Sequence, residues 1–143
     1  MLTVRRGEIE DLQTIERFVN RSEAIYEKES LFIVVEDERK EIVGVAGIQL
    51  IDQFGWLRSF VFSPRFPSEH LLIFLERVLV IASEHDCTAV YLATNKQASR
   101  PLFEVFGFSL ITAEELPEQI KLSTALAPIL QKKDISYMWK MLL

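Results

Sequence analysis

The stretch from Trp56 to Ala93 constrains the fold more than any other. It opens with strand-forming residues, Trp56 to Phe62, and the run stops at Pro64. Pro64 and Pro67 bracket a loop, and Ser68 stands where an N-cap would open a helix from Glu69 to about His85. Val90 to Ala93 then reads as a short buried strand. Strand, helix and strand in this order make a βαβ crossover, which pairs its two strands in parallel. The helix is apolar almost all round at Leu71, Leu72, Ile73, Phe74 and Leu75, so other elements are expected to cover it.

Before the crossover the pattern is antiparallel. Residues 3–6 predict a strand. Residues 9–20 predict a helix, with Leu12, Ile15, Phe18 and Val19 on one face. Glu8, Glu10 and Asp11 lie at the end where the helix dipole favours acids. Residues 21–29 are polar, with a second short helix as one reading. Leu31–Glu36 and Glu41–Leu50 read as a hairpin around the charged turn Asp37–Lys40. Gly44 and Gly47 inside its second strand predict a bulge or a close backbone approach. A turn at Asp52–Gly55 leads into the strand 56–62. After the crossover come a helix over 98–106, ended by Gly107 at C′, and a strand Phe108–Ile111. A mixed segment 113–133 is broken by Pro117 and Pro128, and Ser136–Leu142 is a final strand. The expected class is α/β (α+β): antiparallel N-terminal strands, one βαβ crossover, antiparallel additions, and helices on both faces. No repeat or linker interrupts it, so residues 1–143 are read as a single domain.

Composition excludes several functions. Of 143 residues, 16 are Lys or Arg and 21 are Asp or Glu, a net charge of −5 with no basic stripe, which argues against nucleic acid as a partner. Cys87 is the one cysteine, so no internal disulfide forms, as suits a reducing cytoplasm, and a structural thiol is expected there. The N-terminus lacks a signal-peptide core. Leu71–Ala82, interrupted by Glu76 and Arg77, is too short to span ~30 Å of hydrocarbon, so no membrane association is expected. His70 and His85 stand fifteen residues apart and are read as helix-end residues, not metal ligands. There is no Gly-x-Ser-x-Gly elbow, phosphate-binding P-loop or Gly-x-Gly-x-x-Gly.

What remains is an arrangement of segments. Leu57-Arg58-Ser59-Phe60-Val61-Phe62-Ser63-Pro64 ends a strand at a proline. Tyr91-Leu92-Ala93-Thr94 is the next strand, and Pro101-Leu102-Phe103-Glu104-Val105-Phe106-Gly107-Phe108 closes a helix into a strand. With Val4-Arg5-Arg6, Glu10-Asp11-Leu12 and Ile42-Val43-Gly44-Val45-Ala46-Gly47, this resembles the GNAT superfamily of N-acetyltransferases over nearly the whole chain. The tail Glu115-Leu116-Pro117-Glu118-Gln119-Ile120-Lys121 is similar to small members like N-acetylglutamate synthase domains. The resemblance implies acetyl-CoA as cosubstrate, a small amine acceptor, and direct attack of the amine on the thioester. A strand N–H would polarise the carbonyl. The cosubstrate would lie in a split between strands 57–62 and 90–94, its pantetheine amides paired with the backbone of Phe60, Val61 and Phe62. Its pyrophosphate would meet the loop and helix start at Arg65, Ser68, Glu69, His70 and Leu71. Thr94, Asn95, Arg100 and Phe103 complete the expected cofactor-binding set. A homodimer is common for such folds.

The chain departs from the family in two places. The family's loop is glycine-rich, whereas Arg65-Phe66-Pro67-Ser68-Glu69-His70-Leu71 has no glycine. Pro67 lacks an N–H, side chains at Glu69 and Leu71 hinder backbone approach, and Glu69 puts an acid where the anion would sit. Arg65, Lys96 or Arg100, or the N–H groups of Ser68 through His70, are the candidate compensations. The second departure is Phe103, which stands where many members carry a Tyr that protonates the leaving thiolate. No catalytic residue is assigned, although Glu104, Glu76 and Gln49 are nameable as bases. For the acceptor, Arg58 reads equally as a carboxylate ligand or an exposed-face residue. Phe54 and Trp56 read as groove-lining or hairpin packing, and Lys121 as substrate contact or solvated charge. Three functions stay open: an acyl-CoA-dependent N-acyltransferase acting on a small amine or amino acid, a degenerate GNAT-fold module that binds protein partners without acetyl-CoA, and an unrelated ligand-binding domain.

Overall fold

The computed structural model describes residues 2–22, 24, 26–95 and 99–142. Its strands run β1 (Thr3–Arg6), β2 (Leu31–Glu36), β3 (Ile42–Ile51), β4 (Phe54–Phe62), β5 (Ala89–Thr94), β6 (Ser109–Ile111) and β7 (Ser136–Met141). The helices are α1 (Leu12–Arg21), α2 (Leu71–Glu84), α3 (Arg100–Val105), α4 (Glu118–Lys121) and α5 (Ala127–Leu130). Hydrogen-bonded neighbours follow the order β1-β2-β3-β4-β5-β7-β6, a seven-stranded, mostly antiparallel sheet. The expected crossover is present: β4 and β5 are parallel, with Phe54 opposite Ala89, Gly55 opposite Val90 and Trp56 opposite Tyr91. No helix among the described residues is long and apolar enough to cross a membrane.

Two compact units divide the chain, Met1–Gln49 with Leu57–Ile81, and Leu50–Trp56 with Ala82–Leu143. The first unit carries helices on both faces of its strands. On one face Ile15, Phe18 and Val19 of α1 pack against Phe32, Val34 and Val45, joined by Val61. On the other, Phe74 of α2 stacks on Phe60 at 5.4 Å. The β2–β3 register shifts between Val35 and Glu36, which face Gly44 and Ile42, so Val43 is the extra residue of a bulge beside Gly44. In the second unit Trp56, Tyr91, Leu116, Ile120, Leu126 and Tyr137 form the core, and α4 and α5 supply three of these residues or their neighbours.

Several expectations need correction. The helix start falls at Pro67, which makes no side-chain cap bond, and Ser68–His70 form a 3-10 turn ahead of α2. Ser68 is therefore inside the first turn and not its cap. Only one side of α2 is covered: Phe74, Leu75, Val78 and Ala82 are buried, while Leu72, Ile73 and Val80 are 44%, 54% and 46% exposed. Counting apolar residues does not say which of them face inward. The α1 helix starts at Leu12, after a 3-10 turn at Ile9–Asp11. No helix appears among the described residues of 22–30.

Candidate active site

The candidate site is built around the C-terminal half of β4 and the turn that follows it. Ser59 holds φ 56° in the middle of β4. A left-handed residue inside a strand breaks the two-residue alternation and re-aims its neighbours. On the near side of this break, the guanidinium Nη1 of Arg58 donates to Oε1 of Gln49 at 2.7 Å. Arg58 is half-buried, its Nε is buried without a hydrogen-bond partner, and burial lowers its pKa. Beyond the break, Phe60 and Phe62 join Phe66 and Phe74 in a closed ring of four aromatics, with neighbouring centroids 5.4–5.9 Å apart. Val61 points to the α1 side instead.

The turn after β4 is held by its own backbone and by Phe66. Ser63 N–H donates to the Val43 carbonyl at 2.8 Å, and Phe66 N–H to the Ser63 carbonyl at 2.9 Å. Arg65 N–H donates to Ser63 Oγ at 3.0 Å. The Phe66 ring is buried against Gly44, where an added Cβ would lie 3.2 Å from it. A glycine at 44 thus lets the loop's aromatic lie flat on the strand. The His70 N–H is already taken by the Pro67 carbonyl at 2.9 Å and the Leu71 N–H by Ser68, so neither offers an anion its backbone donor. Only the N–H groups of Ser68 and Glu69, at the helix start, have no intrahelical partner. Arg65 turns away to pair with Asp37 at 3.4 Å and Glu41 at 3.0 Å.

In the second unit, β5 ends at Thr94, opposite Ser136 of β7, and Asn95 is exposed beyond it. Lys96 lies outside the described residues. Helix α3 ends as its sequence requires. Gly107 sits at φ 90°, its N–H donates to the Glu104 carbonyl at 2.9 Å, and Phe108 N–H reaches the Phe103 carbonyl at 3.1 Å. These are the two bonds of a Schellman cap, and the accompanying apolar contact is the Phe103–Phe108 ring pair at 5.6 Å. Phe103 is therefore a buried capping residue that offers no proton. Arg100 donates to Ser136 Oγ, and its own Nε is buried without a partner. Arg100, Ser136 and Tyr137 line a cavity of about 380 Å³, walled by Leu110, Ile111 and Ile135. Sequence reasoning missed Ser136 and Tyr137, which carry no motif; Ser136 meets Arg100 across 36 residues of chain, and Tyr137 shares the cavity lining with both.

The remaining sequence candidates sit as follows. Trp56 is 1% exposed and packs on Tyr137 at 6.4 Å, within the core of the second unit. Phe54 meets Tyr91 edge-on at 5.7 Å. Lys121 donates to the Glu114 carbonyl at 2.6 Å and pairs with Glu118 at 3.7 Å, a local charge on α4. Gln49 is engaged by Arg58, and Glu76 and Glu104 lie on exposed helix faces, so no general base stands out among the described residues. Cys87 is buried and its thiol is pushed up by burial, as a structural thiol should be. No group of His, Cys, Asp and Glu among the described residues is arranged to hold a metal.

No family model matches the chain. It is 33% identical over 116 residues to YwlB of Bacillus subtilis strain 168, described as an uncharacterized protein, with 77% of each chain covered. The chain belongs to the YwlB family. Its architecture matches a GNAT-family acetyltransferase from Staphylococcus aureus with a TM-score of 0.76 and 16% identity, covering all of both chains. Rv2747 of Mycobacterium tuberculosis, solved with CoA, superposes with a TM-score of 0.74 and 21% identity over 99% of both chains. Neisseria gonorrhoeae N-acetylglutamate synthase, solved with CoA and N-acetyl-glutamate, gives a TM-score of 0.79 and 14% identity; there this chain spans 35% of the longer one. The fold is that of the GNAT superfamily.

Proposed function

We propose that this protein is an acyl-CoA-dependent N-acyltransferase that moves an acetyl group from acetyl-CoA to a small amine or amino acid. The observation that carries the reading is the helix start after β4. In a fold shared with acetyltransferases, the Ser63–Phe66 turn leads to the N–H groups of Ser68 and Glu69, which have no intrahelical partner, at the positive end of α2. Those two donors fit a phosphate, although they are fewer than a glycine-rich loop would offer. The pantetheine arm would pair with the backbone of β4 near Val61 and Phe62, as an added strand does. The amine nitrogen attacks the thioester carbon. An N–C bond forms, the C–S bond breaks, and CoA leaves as the thiolate. The ammonium proton passes to water, and the thiolate takes its proton from solvent, since Phe103 has none to donate.

The test is thermal unfolding with acetyl-CoA and, separately, free CoA. Ligand at 100 times its dissociation constant adds about 2.7 kcal/mol. For a domain of this size the midpoint is expected to rise on the order of 5–15 °C. No shift at millimolar acetyl-CoA would remove the transferase reading. It would leave a second one, a GNAT-fold module without acetyl-CoA that docks a protein partner, favoured by the exposed Leu72, Ile73 and Val80 on α2.

A further inference from the structure

We infer that Arg58 and Gln49 form a carboxylate-recognition site, which makes the acceptor a small amino acid and not an uncharged amine. The inference rests on the acyltransferase reading for the reaction, but the site itself is argued from unlike treatment of three arginines. Arg5 is held by two carboxylates, Asp11 at 2.7 Å and Glu36 at 2.9 Å. Arg65 is also held by two, Asp37 and Glu41. Arg58 is half-buried and yet, among the described residues, the hydrogen-bond partner of its guanidinium is the neutral amide of Gln49. Its Nε is buried and unbonded, and no carboxylate among the described residues forms an ion pair with it. Glu27, on the segment after α1, acts on it only through space.

A guanidinium does not shed its proton at physiological pH, so a half-buried one without an anion is a standing cost. A bound carboxylate removes that cost and takes the fork's remaining donors in charge-assisted hydrogen bonds. Gln49 fits this role better than an acid would. Its carbonyl fixes the orientation of the fork without neutralising it, so the charge stays available to a ligand. A glutamate at position 49 would fill the site from within.

The experiment compares free L-amino acids with their matched amides, which keep the amine and lose the carboxylate. Acetyl transfer is followed as thiol release from acetyl-CoA. At least one amino acid is expected to exceed its amide in kcat/KM by roughly 100-fold, since a site built for a charged partner rejects the analogue lacking it. Arg58→Gln and Gln49→Glu should each reduce that preference to a few-fold, mainly through KM. Gln49→Glu should also raise the melting temperature by supplying the missing carboxylate, and it carries the test alone if Arg58→Gln does not fold. A purely structural Arg58 predicts the same gain in stability with the preference intact. Equal use of acids and amides, or an unchanged preference in both variants, overturns the inference. A second arm omits acetyl-CoA and reads the thermal shift given by the same acids and amides. A shift with acids alone that is lost in Gln49→Glu supports the site even if acetyl-CoA does not bind, and no difference between acids and amides there overturns it. Failure of acetyl-CoA to shift the wild type bears on the transferase reading only.

Discussion

Ser59 keeps a left-handed backbone, φ 56°, between Arg58 and Phe60. A non-glycine residue there costs on the order of 1–2 kcal/mol, and a β-branched one costs more. The same angle limits what alternation can assign beyond it, at Phe60, Val61 and Phe62. Counting alternate residues from Trp56 assigns a face only while the strand keeps period two, and Ser59 ends that period. Ser59→Val is expected to lower stability by about 1–3 kcal/mol, while Ser59→Gly stays within about 1 kcal/mol of wild type. Urea unfolding of the two variants checks this. A valine tolerated as well as glycine would mean that the strand relaxes to ordinary geometry and that the left-handed residue is dispensable.

At the scale of elements, what was legible is what is local. Both backbone bonds of the α3 cap lie within Phe103–Phe108, so the Gly107-Phe108 pair announces them in the sequence. The parallel β4–β5 pairing was legible for a topological reason, since a helix between two strands leaves few other solutions. The loop after β4 was only half legible. Its lack of glycine was plain, but its anchor is Phe66 lying on Gly44, a contact between distant parts of the chain that no local pattern encodes. The donors left at Ser68 and Glu69 follow from which N–H groups the turn consumes, and that too is a tertiary fact. Phe66→Ala is expected to cost about 3–5 kcal/mol, the usual loss for a buried aromatic. If the ring positions the helix start, the variant should also weaken acetyl-CoA binding in calorimetry at a temperature where it remains folded. A loss below about 1 kcal/mol would show that the turn's hydrogen bonds suffice without the ring.

For the whole molecule, the titrating groups bound a pH range of stability from both sides. Asp11 is held below the usual carboxylate range, chiefly by hydrogen bonds from Arg5. Asp37 is held low first by the N–H of Glu41, and Glu115 first by the Thr112 hydroxyl. A carboxylate with a lowered folded pKa stabilises fully above its unfolded pKa and loses that contribution as pH falls through the folded value. Stability should therefore decline below about pH 4. The alkaline side has the opposite sign. Burial raises the Cys87 thiol and the Tyr91 and Tyr137 phenols, so the unfolded chain releases these protons first as pH rises. Cys87 sets the first alkaline loss, near its unfolded value of about 8.5, and the two phenols follow near 10. Melting temperatures between pH 2 and 10 are expected to show a plateau from about 4 to 8.5. Cys87→Ala should extend the plateau's alkaline edge toward about pH 10 and leave the acid edge in place. Asp11→Asn should flatten the acid limb only. A Cys87→Ala variant whose alkaline edge does not move would place that loss on groups other than the buried thiol.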